Sequence, residues 1–101
     1  MKPSSKTIFI AKDFSRFPAG RFITDGKFSG ECFRNDFLLP ALTTSEKVVV
    51  INLNGVLGYG SSWLAEAFNG KYLSDKEKNK LSFVSQDLSL IMEIKEYLYR
   101  V

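Results

Sequence analysis

Apolar and polar positions recur along this chain in two rhythms, and each change of rhythm marks an element. The densest apolar run, Val48 to Leu53, is short and rich in β-branched residues, which predicts a buried central strand. Thr7 to Ala11 predicts a first strand, and Arg21 to Thr24 a second that can pair with it. Leu81 to Ser85 predicts the last strand. Phe33, Phe37, Leu38, Ala41 and Leu42 recur at helical spacing behind Ser29, an N-cap residue, and Glu31, a first-turn carboxylate. Pro40 lies inside that pattern and is expected to kink or shorten the helix near its end. Ser61 to Phe68 predicts a second helix, closed by Asn69-Gly70. Leu90, Ile91, Ile94, Tyr97 and Leu98 predict a third, capped by Asp87 or Ser89. Asp25-Gly26 is turn chemistry, and Lys12–Ala19, Thr43–Lys47 and Lys71–Lys80 read as connectors. The order is β-β-α-β-α-β-α: one α/β domain over residues 1–101, with a mixed sheet of about four strands packed against helices. Val49 and Ile51, or Val48 and Val50, are expected to be shielded by helices on opposite faces of that sheet.

Composition narrows the chemistry. The chain is 45% hydrophobic with nine phenylalanines, enough for a core without metal or disulfide staples. Cys32 is the single cysteine, so no intrachain disulfide forms, and it reads as a small apolar residue. Histidine is absent, which removes the commonest general base, the Ser-His-Asp arrangement and the commonest metal ligand together. No apolar run approaches the length of a membrane span, and no signal-type segment follows Met1, so a cytoplasmic location is expected. The net charge of +3 is mild. No long basic run interleaves with aromatics, so nucleic acid is not an expected partner.

Chemistry-bearing residues gather after the central strand. Gly55, Gly58 and Gly60 form a glycine-rich loop that leads to Ser61 and Ser62 at the start of a helix. Hydroxyls at that place stand at the carboxyl end of a strand, where α/β sheets present working groups. Their plainer role is N-capping. The glycines lack the following lysine of a phosphate-binding loop, so positive-φ turns and close packing explain them better. Trp63 is either core behind the helix or an exposed anchor for a partner. Arg21, Asp25, Ser29, Glu31 and Arg34 either form a polar site with the serine loop or serve as turn, cap and solvated charges.

The Val48–Phe68 segment resembles the STAS domain of bacterial anti-sigma factor antagonists, in which a strand and short loop lead to Asp-Ser-Ser or Asp-Ser-Thr and then Gly-Leu. Laid on this chain without gaps, the family's phosphorylatable serine falls on Ser61, its second hydroxyl on Ser62 and its leucine on Leu64. Gly60 replaces the acidic residue, and Trp63 replaces the small residue after the pair. The chain is more similar to the STAS-like branch DUF4325. The resembling stretches are Lys12-Asp13-Phe14-Ser15, Pro18-Ala19-Gly20-Arg21, Asp25-Gly26, Ser29-Gly30-Glu31, Phe33-Arg34, Leu38-Leu39-Pro40-Ala41, Gly58-Tyr59-Gly60-Ser61-Ser62 and Glu66-Ala67-Phe68. This resemblance runs from about Ile8 to Phe68 and thins out afterwards.

The resemblance implies a non-enzymatic interaction module without a cofactor. Its implied partner is a serine kinase of GHKL-type ATP-binding fold that also acts as an anti-sigma factor. The partner would bind through Gly58, Tyr59, Gly60, Trp63 and Leu64, with Arg21 as a further contact, and phosphorylation of Ser61 would release it. Two other readings stand beside this one. A binding module without phosphorylation is favoured by the missing acid at Gly60. A small enzyme using Ser61 or Ser62 is disfavoured by the absence of histidine, although lysine can act as a base.

Overall fold

The run Val48–Asn52 forms β2, the middle strand of the sheet, in a computed structural model that describes residues 5–45 and 47–100. β1 (Ser5–Phe9) lies on one side of it and β3 (Leu81–Val84) on the other, both parallel to it. Ile8 pairs with Ile51, and Ile51 with Phe83, so these three share a face. Among the described residues the sheet is therefore three-stranded and wholly parallel, not mixed and four-stranded.

Helices cover one face only. Ile8, Val49 and Ile51 are buried, whereas Phe9, Val48 and Val84 on the opposite face are exposed and Val50 is half-buried. The expected shielding of both faces does not occur. Parallel crossovers are right-handed as a rule. Two successive crossovers stepping the same way, β1 to β2 to β3, place their helices on the same side; covering both sides would require the chain to reverse direction at β2.

The expected second strand is absent, because its backbone donors are taken by side chains. The Asp25 carboxylate accepts from the N–H groups of Arg21 (3.0 Å) and Phe22 (2.9 Å), and Glu31 accepts from Ile23 (2.9 Å). Phe22 and Ile23 remain exposed, and Ile23–Asp25 closes a short 3₁₀ turn. Asp13 ends β1 by the same competition, accepting from the Phe9 N–H at 2.9 Å.

The first helical stretch opens as expected, with Ser29 accepting from the Cys32 N–H at 3.1 Å. Its parts are α1 (Gly30–Phe33), a π-helical segment (Arg34–Leu38) and α2 (Leu39–Thr44), joined through helical backbone at Arg34 and Leu39. Pro40 does not end it. The wider turn sits just before Pro40, where the ring removes an N–H and crowds the carbonyl one turn back, and this lets the helix pass through.

α3 (Ser61–Ala67) follows β2 and ends at Phe68, not at Asn69-Gly70. Asn69 instead caps a 3₁₀ turn, Gly70–Tyr72, by accepting from the Lys71 N–H at 2.9 Å. The expected connector holds a helix, α4 (Asp75–Lys80), with a reciprocal cap between Ser74 and Glu77. The Lys80 ammonium donates to the carbonyls of Leu42 (2.8 Å) and Ser45 (2.9 Å), capping the end of α2. α5 (Leu88–Tyr99) is capped by Asp87 and buries Ile94 and Leu98. One core runs from Ile8 to Leu98 and centres on Phe33, Trp63 and Phe68. Among the described residues no helix is long and apolar enough to cross a membrane.

Candidate functional site

The site is built where β2 gives out. After Asn52 the chain turns across the carboxyl end of the sheet, held by side chains rather than by a ladder. The Tyr59 hydroxyl donates to the Leu53 carbonyl at 2.9 Å, and burial pushes its phenol well above the ordinary tyrosine range. The Asn54 side-chain oxygen accepts from the Gln86 N–H at 3.0 Å, tying this loop to the one after β3. Of the three glycines in this loop Gly55 alone has a positive φ, at 88°, and a Cβ there would stand 3.2 Å from the Cβ of Ala11. Gly58 and Gly60 face open space with no positive φ, so neither a turn nor close packing requires them, contrary to the reading of all three glycines together.

Gly60 is the N-cap of α3 and supplies no side-chain oxygen. Ser61 and Ser62 are therefore the first two helical residues rather than the cap, and both are exposed. Ser61 lies near the Tyr97 phenol of α5, whose O–H donates to Glu93 at 2.6 Å. That carboxylate raises the Tyr97 phenol above its usual value, and Ser61 acts in the opposite sense. A recess of about 470 Å³ opens at the ends of β2 and β3, lined among others by Asn54, Gly58, Tyr59, Gln86, Asp87 and Glu93. Its only charged lining groups are the two carboxylates.

The remaining expected contact residues go elsewhere. Trp63 and Leu64 are each 1% exposed. The Trp63 indole N–H donates to the Phe28 carbonyl at 2.9 Å, and its ring packs among Phe14, Phe33, Tyr59 and Phe68. Of the two readings of Trp63, the structure has the core one. Arg21 lines a separate recess with Asn69, Lys71, Tyr97 and Arg100. Asp25, Ser29 and Glu31 hold the turn and the helix start, as the plainer reading expects. Cys32 is half-buried, with its thiol donating to Asp36 at 3.2 Å. Burial first, then that carboxylate, raises the thiol's pKa, so it is not poised as a nucleophile.

Arg34 departs from the reading of solvated charge. It is 3% exposed, and its guanidinium donates to both the carboxylate (2.8 Å) and the backbone carbonyl (2.6 Å) of Glu66. It also lies over the Tyr72 ring, 3.9 Å from the centroid. This pair fastens the first helical stretch to α3. Gly30 serves the same junction, since a Cβ there would meet the Trp63 carbonyl at 2.5 Å. Neither role leaves a local sequence signal, because each depends on what α3 brings against it.

Among the described residues no three metal-ligating side chains converge. No curated protein and no solved structure matches the chain. A family model described as a STAS-like domain of unknown function, DUF4325, matches residues 29–89. The match begins at the cap of α1 and continues past Phe68 into the start of α5, further along the chain than the resembling motifs reach, and it leaves residues 8–28 outside. A match over more than half of the sequence settles its kinship: the chain belongs to the STAS-like family DUF4325.

Proposed function

We propose that the protein is a non-enzymatic regulatory interaction module. Its docking surface is the exposed ridge Gly58–Ser62 with the acidic recess beside it, and its partner is a GHKL-type ATP-binding kinase or anti-sigma factor. The observation that carries this reading is the position of Ser61: exposed, at the carboxyl end of the sheet, and relieved of capping duty by Gly60. Phosphorylation moves the γ-phosphoryl group of the partner's ATP to the Ser61 oxygen. ADP leaves, and the hydroxyl proton passes to the partner's base or to water. The product adds up to about two negative charges beside Glu93 and Tyr97. A partner selected for the unmodified surface then meets repulsion and bulk in the middle of its contact.

A non-enzymatic role fits the surroundings of Ser61. Its polar neighbour is Tyr97, whose proton is already engaged with Glu93, and the sequence holds no histidine to serve as a base. The second reading, binding without phosphorylation, is favoured by Gly60 in place of the acid of the anti-sigma factor antagonists.

Intact-mass spectrometry after incubation with the GHKL-type ATPase encoded nearest the gene, and ATP, separates the two. One added phosphate is expected on the wild type and on Ser62→Ala, and none on Ser61→Ala. A partner that binds the protein while leaving its mass unchanged sinks the switch and leaves the plain binding module.

A further inference from the structure

A second recess, of about 270 Å³, shares no lining residue with the acidic one and has the opposite charge. Arg21, Lys71 and Arg100 line it together with Ala65, Asn69 and Tyr97, and no carboxylate does. The three cations come from distant points of the chain: the loop before α1, the turn after α3, and the end of α5. Among the described residues the one ion pair is Arg34–Glu66, so no described carboxylate lies within ion-pair distance of any of the three. Like charges gathered around a concave surface repel one another, and an anion of more than one charge relieves that repulsion.

The backbone of Arg21 is held in place, and the two guanidinium groups lie beside aromatic rings. The Arg21 backbone N–H donates to the Asp25 carboxylate (3.0 Å), and its carbonyl accepts from the Glu31 N–H (3.0 Å). The Arg21 guanidinium lies 5.9 Å from the centroid of the Phe22 ring, and that of Arg100 5.3 Å from that of Tyr97. The Asn69 side-chain oxygen is already occupied by the Lys71 N–H, which leaves its NH₂ group to donate. The recess therefore offers two guanidinium forks, one ammonium and one amide as donors, beside the Tyr97 phenol, whose proton goes to Glu93.

We infer that this recess binds a phosphate monoester. A tetrahedral dianion presents several acceptor oxygens at once and suits paired guanidinium forks, whereas a single carboxylate leaves most of the positive charge unanswered. Two sources share this chemistry. Ser61 lies one helical turn before Ala65, which lines the recess, so a phosphate carried on Ser61 is on the side of α3 that borders it. That source rests on the phospho-switch proposed above. A phosphate monoester borne by another molecule does not.

The test uses the full chain, labelled with ¹⁵N, and titrates it with inorganic phosphate and with phenyl phosphate, ionic strength being held constant with sodium chloride. Saturable amide shifts are expected at Arg21, Ala65, Asn69, Lys71 and Arg100. Arg21→Gln and Arg100→Gln should each weaken binding about ten-fold, the worth of one charge-assisted hydrogen bond. Both variants should keep the wild-type melting temperature. Shifts that never saturate, or an affinity unchanged in both variants, overturn the site. Protein carrying phosphoserine at position 61 identifies the source. If the Ser61 phosphate occupies the recess, added phosphate no longer shifts those amides; if added phosphate still saturates them, the recess takes its phosphate from another molecule. A failure of any kinase to modify Ser61 would remove the switch and leave the titration result standing.

Discussion

The inner face of α3 carries Trp63, Leu64, Glu66 and Ala67, all buried, while Ser61 and Ser62 at its start are exposed. A helix of seven residues thus holds the protein together on one side and presents two serine hydroxyls on the other. The two sides also differ in how much change they tolerate. The inner side meets Phe33, Arg34 and Gly30 at contact distance, so a methyl group gained or lost there is felt. The outer side is exposed, and substitution there changes the surface rather than the packing.

Trp63→Ala gives the largest contrast. It removes the ring that joins Phe14, Phe33, Tyr59 and Phe68 and takes from the Phe28 carbonyl one of its two donors, leaving the Ala19 N–H. The expected cost is about 4 kcal/mol, a large share of the stability of a domain this size. Ser61→Ala, two residues earlier, should stay within about 0.5 kcal/mol. Urea unfolding of both variants checks the pair. A Trp63→Ala variant as stable as Ser61→Ala would mean that the two sides of α3 are not distinct.

How far these two sides can be read from the sequence follows from the range of each interaction. The strand Val48–Asn52, the cap at Ser29 and the start of α3 near Ser61 are set by residues a few positions apart, and each is legible. The reciprocal cap Ser74–Glu77 carries an equally local signal, yet the charge of Lys71–Lys80 masks it as a connector. The false strand at Arg21–Thr24 shows the opposite case. Its apolar pattern is right, but Glu31, eight residues from Ile23, takes a donor that a ladder would need. The choice of Trp63 for the core and of Arg34 for burial depends on contacts more than thirty residues away, which periodicity cannot see.

The buried pair sharpens the comparison at its polar point. Glu66→Ala leaves the Arg34 guanidinium buried without its carboxylate, with an expected loss of about 3 kcal/mol. Replacing both partners, Arg34→Met with Glu66→Leu, should recover most of that loss, because the desolvation of both charges disappears with them. Thermal melts of the single and double variants measure the difference. A double variant as unstable as the single one would show that the Tyr72 stacking and the Glu66 carbonyl contact matter more than the charge pair.

Gly60→Asp probes the outer side, where the smallest effect is expected. The position has extended backbone, with φ −76° and ψ 149°, and nothing lies within 4 Å of where a Cβ would go. An aspartate fits there without strain and supplies the cap oxygen that α3 lacks. Aspartate and glycine differ by only a few tenths of a kcal/mol as caps, and the loss of glycine's freedom in the unfolded chain adds a similar amount. The expected gain is about 0.5 kcal/mol, read as a small rise in melting temperature. The same change restores the acid that precedes the serine pair in the family resemblance, so its effect on Ser61 phosphorylation is measured in the same protein. Faster modification by the proposed kinase partner with this small gain in stability would show that the acid at this position serves the kinase as well as the helix. Unchanged modification with the same gain would make the acid a cap and nothing more, and Gly60 would then be no obstacle to a switch at Ser61.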